Sequence, residues 1–296
     1  MLYLLTECDI MKKIPKRGDV MNYQRVLTIQ DISCVGQCSM TVALPILSAC
    51  GHETAVLPSA ILSTHTAGFS GYTVRDLSQD MPGVRAHWQK EGITFDAVYT
   101  GYLGSAEQVD YVLDIISGCL KKDGLAFIDP AMADYGKLYP GFDDNYVQAM
   151  KKLSQHADYI LPNITEACLL TGMDYRETYD KAYIDALLAA LQEQVCKNII
   201  LTGVSYADGK TGIEVVENGQ RDYYEHIHLP KSCHGTGDIY SSAFVGAMLK
   251  GKSAYLSAKI AADYTLACMN ATANSPEHWY GAKFEPVLGQ LIDALR

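Results

Sequence analysis

The sequence predicts a three-layer α/β/α protein, with a mostly parallel central sheet covered by helices on both faces and a small flap at one edge. Three observations carry that prediction. Short apolar, β-branched runs alternate with stretches of helical spacing, and strand, helix, strand in succession implies right-handed crossovers and a parallel sheet buried on both sides. Each such run ends in, or is followed at once by, a polar residue or glycine, which suits open sheets whose ligands sit beyond the carboxyl ends of the strands. Finally, 296 residues at 48% hydrophobic content can bury one large core, and no repeat, low-complexity linker or break in composition divides them.

The elements follow in chain order. Residues 1–20 precede the regular pattern: five apolar-looking residues give way to Glu7, Asp9, Lys12 and Lys13, which is no signal-peptide core. They are expected to be a flexible extension or the product of an early start codon, with a single domain over 21–296. "RVLTI" (25–29) reads as the first strand, with a helix near 38–50, and "TAVLP" (54–58) as the second. Residues 59–80, rich in Ser, Thr and Gly, are expected to form the edge flap. A helix near 82–91, strand "DAVYTG" (96–101), a helix near 105–120, strand "LAFID" (125–129) and a helix near 143–156 continue the rhythm. Strand "DYILP" (158–162), helices near 165–171 and 180–195, and strand "NIILTG" (198–203) complete it. "GIEVV" and "RDYYEHIHL" then read as a hairpin, with Asn218-Gly219 supplying the positive φ angles of a tight turn. Helices near 238–250, 253–271 and 284–295 close the chain. The strand ends Gln30-Asp31, Ser59, Gly101-Tyr102, Asp129, Asn163 and Thr202-Gly203 converge on one rim.

A formal net charge of −10 argues against nonspecific binding to nucleic acid or anionic lipid. Any phosphate bound here must be held by local amides, a metal ion or a few cations. Nine cysteines, scattered without C-x-x-C spacing, fit reduced thiols and a cytoplasmic location better than a disulfide frame or a zinc site. No run reaches membrane-spanning length.

Two glycine loops compete for phosphate. Residues 246–253, "GAMLKGKS", satisfy G-x-x-x-x-G-K-[ST], but a working loop of that kind needs a strand before it and a helix after it. Helical spacing precedes this one, so Gly251 reads as a residue just past a helix end and Ser253 as the cap of the next helix. "HGTGD" (234–238) has the better context, following a strand-like run and opening a helix expected from Ile239. Gly235 and Gly237 allow close approach and angles forbidden to other residues, and amides at the helix start would steady negative charge on a phosphoryl group. Asp238 is open between two roles, an N-cap or a base accepting a proton from an attacking alcohol.

Three segments together, "TGYLGSAEQ" (100–108), "ILPNITEACLLTG" (160–172) and "GTGD" (235–238), resemble the pyridoxal kinase branch of the ribokinase-like superfamily. The first is the most specific, and the likeness runs from about Val26 to the C-terminus, with "GQCSMTVALPIL" (36–47) and "STHT" (63–66) falling on comparable segments. The resemblance implies a ribokinase-like fold, ATP-dependent phosphorylation of the 5′-hydroxymethyl group of a B6 vitamer, Mg²⁺ with K⁺ as a further candidate ion, and a homodimer. It makes Asp238 the base and the amides of Gly235, Thr236, Gly237 and Asp238 the anion hole. Asn163 and Glu166 would organise Mg²⁺ and the triphosphate through water, with Asp129 near the phosphates and metal. Thr202 and Gly203 would line the nucleotide, and Asp31, Ser59, His65 and Tyr102 the vitamer.

Each assignment has a structural rival. Asn163 and Glu166 fit a helix cap, Asp129 a turn before proline, Tyr102 an ordinary interface tyrosine, and Ser59 and His65 loop hydrogen bonds. Asp31 departs from the family, many of whose members have serine after the glutamine, and this bears on vitamer choice. Hydroxymethylpyrimidine or small-sugar phosphorylation on the same scaffold, and a noncatalytic vitamer- or nucleotide-binding protein, are the competing functions. An intact Asp238 beside two glycines disfavours the noncatalytic reading.

Overall fold

A computed structural model describes residues 23–229 and 233–296, so the expected extension at 1–20 lies outside the described residues. Strand β1 (Arg25–Ser33) leads through α1 (Met40–Ala49) to β2 (Glu53–Leu62), whose end folds back as the short β3 (Val74–Asp76). Then come α2 (Met81–Lys90), β4 (Phe95–Thr100), α3 (Ala106–Cys119) and β5 (Leu120–Ile128). A small ribbon, β6 (Ala133–Asp134) with β7 (Lys137–Leu138), precedes α4 (Asp144–Ser154), β8 (Tyr159–Ile160), α5 (Ile164–Thr171) and α6 (Lys181–Gln194). Strands β9 (Ile199–Val204), β10 (Lys210–Glu217) and β11 (Gln220–Ile227) are followed by α7 (Thr236–Leu249), α8 (Ala254–Thr272) and α9 (Leu288–Ala294).

Nine strands form one sheet in the order β11-β10-β9-β8-β5-β4-β1-β2-β3. The pairs from β2 through β9 are parallel, while β3, β10 and β11 join antiparallel at the two edges. Side chains alternate across the sheet. Leu27, Ile29, Val98 and Ile128 pack on one face against α2 to α6, and Val26, Ala97, Tyr99 and Phe127 pack on the other against α1, α7 and α8. This is the three-layer arrangement the alternating pattern calls for.

Local chemistry sets the boundaries. Ser105, Asp143, Asp180 and Ser253 each accept a hydrogen bond from the amide three residues on, opening α3, α4, α6 and α8. The β10–β11 hairpin turns through Asn218 at φ 51° and Gly219 at φ 80°. The run expected as a strand over 158–162 is one only at Tyr159–Ile160, because Pro162 brings no N–H to a ladder. The flap is shorter than expected, since β2 runs on to Leu62 and only residues 63–73 loop out before β3 returns.

The second glycine loop is a helix junction. Lys250 closes α7, Gly251 takes φ 81° and Ser253 caps α8, so no strand-to-helix turn exists there to wrap phosphate. Ser253→Ala should lower unfolding free energy by about 1 kcal/mol through loss of that cap, whereas Lys252→Ala should change it by less than about 0.5 kcal/mol. Urea denaturation of both variants reads the difference.

Candidate active site

The strand order reverses at β1, which has β2 on one side and β4 on the other, so the loops leaving β1 and β4 diverge and open a crevice. Ile29 pairs with Thr100 in parallel register, and just beyond these strand ends Asp31 lies close enough to Tyr102 for its charge to raise the phenol, after burial. The strands meet closely here: Gly101 N–H donates to the Ile29 carbonyl at 3.2 Å, and a Cβ on Gly101 would lie 2.4 Å from Gln30 Oε1. Asp31 is only 5% exposed. Ser33 Oγ donates to its Oδ2 at 2.9 Å, and the Ser39 hydroxyl donates to it as well. Burial pushes the Asp31 carboxyl above its ordinary range, partly offset by these hydroxyls.

Tyr102 is half-buried, its ring 5.4 Å from that of Phe142, which stacks in turn on Tyr146. The motif around it proves architectural. Ser105 caps α3, while buried Gln108 accepts from Gly104 N–H at 2.7 Å and donates to the Ser59 carbonyl at 3.0 Å. Ser59 is fully buried, and its hydroxyl donates to the Tyr102 carbonyl at 3.3 Å. His65 is likewise engaged: Nδ1 accepts from Ala67 N–H at 3.1 Å, which leaves Nε2 to donate to the Tyr280 carbonyl at 2.8 Å. Both residues thus take up the loop hydrogen bonds that rivalled their assignment to the ligand, and they support the crevice wall.

The head of α7 forms the opposite wall. The helix starts at Thr236, earlier than expected, and its N-cap is Gly235 at φ 76°. Asp238 therefore lies inside the first turn and is not an N-cap. Gly235 is doubly required, by its left-handed angle and because a Cβ would fall 1.6 Å from the Gln37 carbonyl oxygen. Gly237 corrects the expectation drawn for both glycines: its φ is not positive, and a Cβ there would meet nothing within 4 Å. The space beside it is open at the point where first-turn amides and the helix dipole favour an anion. Thr236 Oγ1 donates to the Cys233 carbonyl at 3.3 Å, bracing the turn.

Asp238 is pushed up to about 7, first by burial and then by the charges of Asp129 and Asp31, while a hydrogen bond from the Ser39 amide pulls the other way. Cys38, the thiol facing Asp238 and Asp31, is pushed up to about 12 by burial and those two charges, so it stays protonated and is no nucleophile.

The remaining acids lie at the ends of β5 and β8. Asp129 accepts from Ser241 Oγ at 2.7 Å and from Ala131 N–H at 3.2 Å. Asn163 and Glu166 form a reciprocal capping box at the start of α5. Glu166 also accepts from Met132 N–H at 3.1 Å. The structural rival for this pair is thus realised, and the cap fixes a carboxylate beside Asp129. Burial raises both acids, and the Asp129 charge raises Glu166 further. Thr202 bridges to Asn163 and donates to the Pro162 carbonyl through its amide at 2.9 Å. Gly203, at φ 76°, is the unpaired bulge of β9, turning the strand end toward this corner.

Among the described residues no Lys or Arg forms an ion pair with Asp31, Asp129, Glu166 or Asp238, and no three His, Cys, Asp or Glu side chains converge to hold a metal. Asp129 and Glu166 therefore fit a cation that arrives with phosphate oxygens and keeps its waters, the habit of Mg²⁺, and do not fit a caged resident ion.

Sequence reasoning missed three contributors. Ser39 has φ 50° and ψ −132°, a costly backbone for a non-glycine residue, and joins Asp31 through its hydroxyl to Asp238 through its amide. Ser241, one turn after Asp238 on α7, ties Asp129 to that helix. Tyr139 stands among Glu166, Asp134, Asp129 and Asp238, and its phenol is raised by burial and then by these charges. A serine before a helix and a polar residue three positions after Asp238 were the available signals for the first two. Tyr139 gave none.

A family model described as phosphomethylpyrimidine kinase matches residues 46–282. A pyridoxal kinase of Paraburkholderia xenovorans is 32% identical over 200 residues, spanning 64% of this chain and 65% of that protein. The crystal structure of pyridoxal kinase from Lactobacillus plantarum is similar at a TM-score of 0.85 and 33% identity, covering 91% of this chain and 97% of the other. A Bacteroides thetaiotaomicron protein, provisionally named a phosphomethylpyrimidine kinase and crystallised with pyridoxal, gives 0.86 at 33% identity, covering 91% and 96%.

The two glycines of the α7 head should separate on mutation. Gly235→Ala must displace the Gln37 carbonyl and should lower the melting temperature by several degrees, a cost on the order of 1–3 kcal/mol. Gly237→Ala should melt like the parent protein while losing affinity for anions at the helix head. Thermal melts and nucleotide titrations check both.

Proposed function

The chain belongs to the phosphomethylpyrimidine kinase family, and on that premise we propose that it transfers the γ-phosphoryl group of ATP to the 5′-hydroxymethyl group of a B6 vitamer, whether pyridoxal, pyridoxamine or pyridoxine. The observation that carries this reading is a carboxylate poised near neutrality, Asp238, in the same helical turn as the amides that would meet the phosphoryl group. The three segments that resemble vitamin B6 kinases and the relatives' names support the acceptor. A hydroxymethylpyrimidine is the second reading, favoured by the description of the family model.

The residues divide the work. Asp238 accepts the proton of the 5′-hydroxyl as that oxygen forms its bond to the γ-phosphorus and the bridging oxygen leaves with ADP. The amides of Thr236, Gly237 and Asp238 steady the negative charge on the oxygens in transit. Asp129 and Glu166, held by Ser241, Met132 and the α5 cap, would hold Mg²⁺ through water. Mg²⁺, when bound, supplies charge neutralisation and aligns the triphosphate. Thr202 and Gly203 border the nucleotide, and Tyr102 offers the vitamer a flat face.

K⁺ is a candidate activator. A cytoplasmic location is the reading that the scattered spacing of the nine cysteines favours, and no described helix is long and apolar enough to cross a membrane. Ile61 and Val74, exposed on the β2–β3 edge, support a homodimer covering that edge.

Purified protein with ATP and Mg²⁺ should phosphorylate at least one of pyridoxal, pyridoxamine and pyridoxine, with hydroxymethylpyrimidine and ribose as comparators. Absence of turnover with every vitamer would overturn the reading. Asp238→Asn should lower kcat by on the order of 10²-fold or more with ATP still bound, and Lys252→Ala should leave kcat nearly intact. Because the base must be ionised, kcat/KM should rise with pH and level off above about 7. The stability sign is opposite: the folded chain holds the Asp238 proton more tightly than the unfolded one, so stability falls as pH rises from about 4 to about 7. Asp238→Asn should therefore melt at or above the parent temperature at pH 7.5.

A further inference from the structure

Resting on the kinase reading above, we propose that Asp31 discriminates among acceptors by pairing its carboxyl with a proton-bearing nitrogen of the substrate. Asp31 is 5% exposed and lies at the crevice formed where the strand order reverses. Among the described residues no Lys or Arg pairs with it, and His65, which lies within electrostatic reach, makes no ion pair with it and has its ring nitrogens engaged by Ala67 N–H and the Tyr280 carbonyl. A buried carboxylate without a cationic partner is costly, and a cationic or proton-sharing group brought by a ligand relieves that cost on binding.

The surroundings define which ligand. Asp31 lies within electrostatic reach of the Tyr102 phenol, at the ends of the adjacent strands β1 and β4, so a carboxyl stands near a half-buried aromatic ring, the pairing that suits a flat ring bearing an N–H. Two hydroxyls, Ser33 and Ser39, fix the carboxyl in place, so little ordering remains to be done when the ligand arrives. Ser39 also reaches Asp238 through its backbone amide, which puts the two acids within one residue's span. One six-membered ring can then present nitrogen to Asp31 and a hydroxymethyl group to Asp238. A sugar has no such nitrogen, and its hydroxyls would leave the Asp31 charge uncompensated.

The test compares kcat/KM for pyridoxine, pyridoxamine and the carbocyclic analogue of pyridoxine, whose ring nitrogen is replaced by C–H, in the parent protein and in Asp31→Asn and Asp31→Ser. The parent should prefer pyridoxine to the carbocycle by on the order of 10- to 100-fold, the range for a hydrogen bond to a charged group, and both variants should erase most of that ratio. If the substitutions instead erase only a preference for pyridoxamine over pyridoxine, the paired nitrogen is the exocyclic amine, and the proposal still stands. Unchanged ratios in well-folded variants would overturn it, and so would equal use of pyridoxine, pyridoxamine and the carbocycle by the parent, which needs no variant. If the parent turns over nothing, the kinase reading fails, and calorimetric binding of pyridoxine and pyridoxamine to parent and Asp31→Asn then judges Asp31: a tenfold or greater loss upholds it, equal affinity ends it.

Discussion

Four carboxyl groups, Asp31, Asp129, Glu166 and Asp238, stand at one rim of the sheet, and among the described residues no cation is paired with any of them. The other features of the site follow from managing that concentration of like charge. Neutral donors take the place of counter-ions: Ser33, Ser39, Ser241 and the amides of Met132 and Asn163 hold the oxygens. Hydroxyls and amides orient a carboxylate without cancelling its charge, so burial still raises all four acids, and the neighbouring carboxylates raise Glu166 and Asp238 further. A site lined with lysine would instead hold its acids ionised and already satisfied.

That arrangement needs an exact approach of backbone segments, supplied by a few positions that tolerate no side chain. Gly235 lets the α7 head sit against the Gln37 carbonyl, and Gly281 lies against Gln37 from another side, where a Cβ would fall 2.3 Å from the Gln37 side chain. The loop between β1 and α1 is thereby clamped, and the clamp explains how Ser39 persists at φ 50°. Local strain survives where surrounding structure over-determines it, and here it places one residue between the two walls of the crevice.

Much of this was legible in the sequence. Apolar periodicity located the buried strands and the helices between them, because a sheet covered on both faces leaves few other ways to bury such runs. Strand-end polarity marked the rim, and strand-to-helix context separated the two glycine loops correctly. The site was legible less evenly. Residue types in a motif do not say which glycine needs positive φ, so Gly237 was read like Gly235, and spacing alone could not put Asp238 inside the first turn. Ser59, His65 and Gln108 illustrate the deeper limit: whether a polar side chain faces a ligand or a neighbouring carbonyl depends on contacts 43 to 215 positions apart, such as His65 with Tyr280. No local pattern encodes those contacts.

The same charges set the terms on which the protein is stable. Each raised acid binds its proton more tightly in the folded chain than in the unfolded one, so each subtracts stability as pH climbs from about 4 toward neutrality. Selection for stability alone would replace such groups with amides or apolar residues. Their retention at one rim, beside a helix head open to anions, makes sense if ligands carry the missing positive charge: a divalent ion with its nucleotide at Asp129 and Glu166, and a protonated nitrogen at Asp31. Ligands that bind only the folded form return stability by mass action, and the free protein is then the least stable species in the cycle. On the proposed reaction, cationic groups at Asp129 and Asp31 would offset the two charges that raise Asp238 and would shift it toward the ionised form in which it could take a proton.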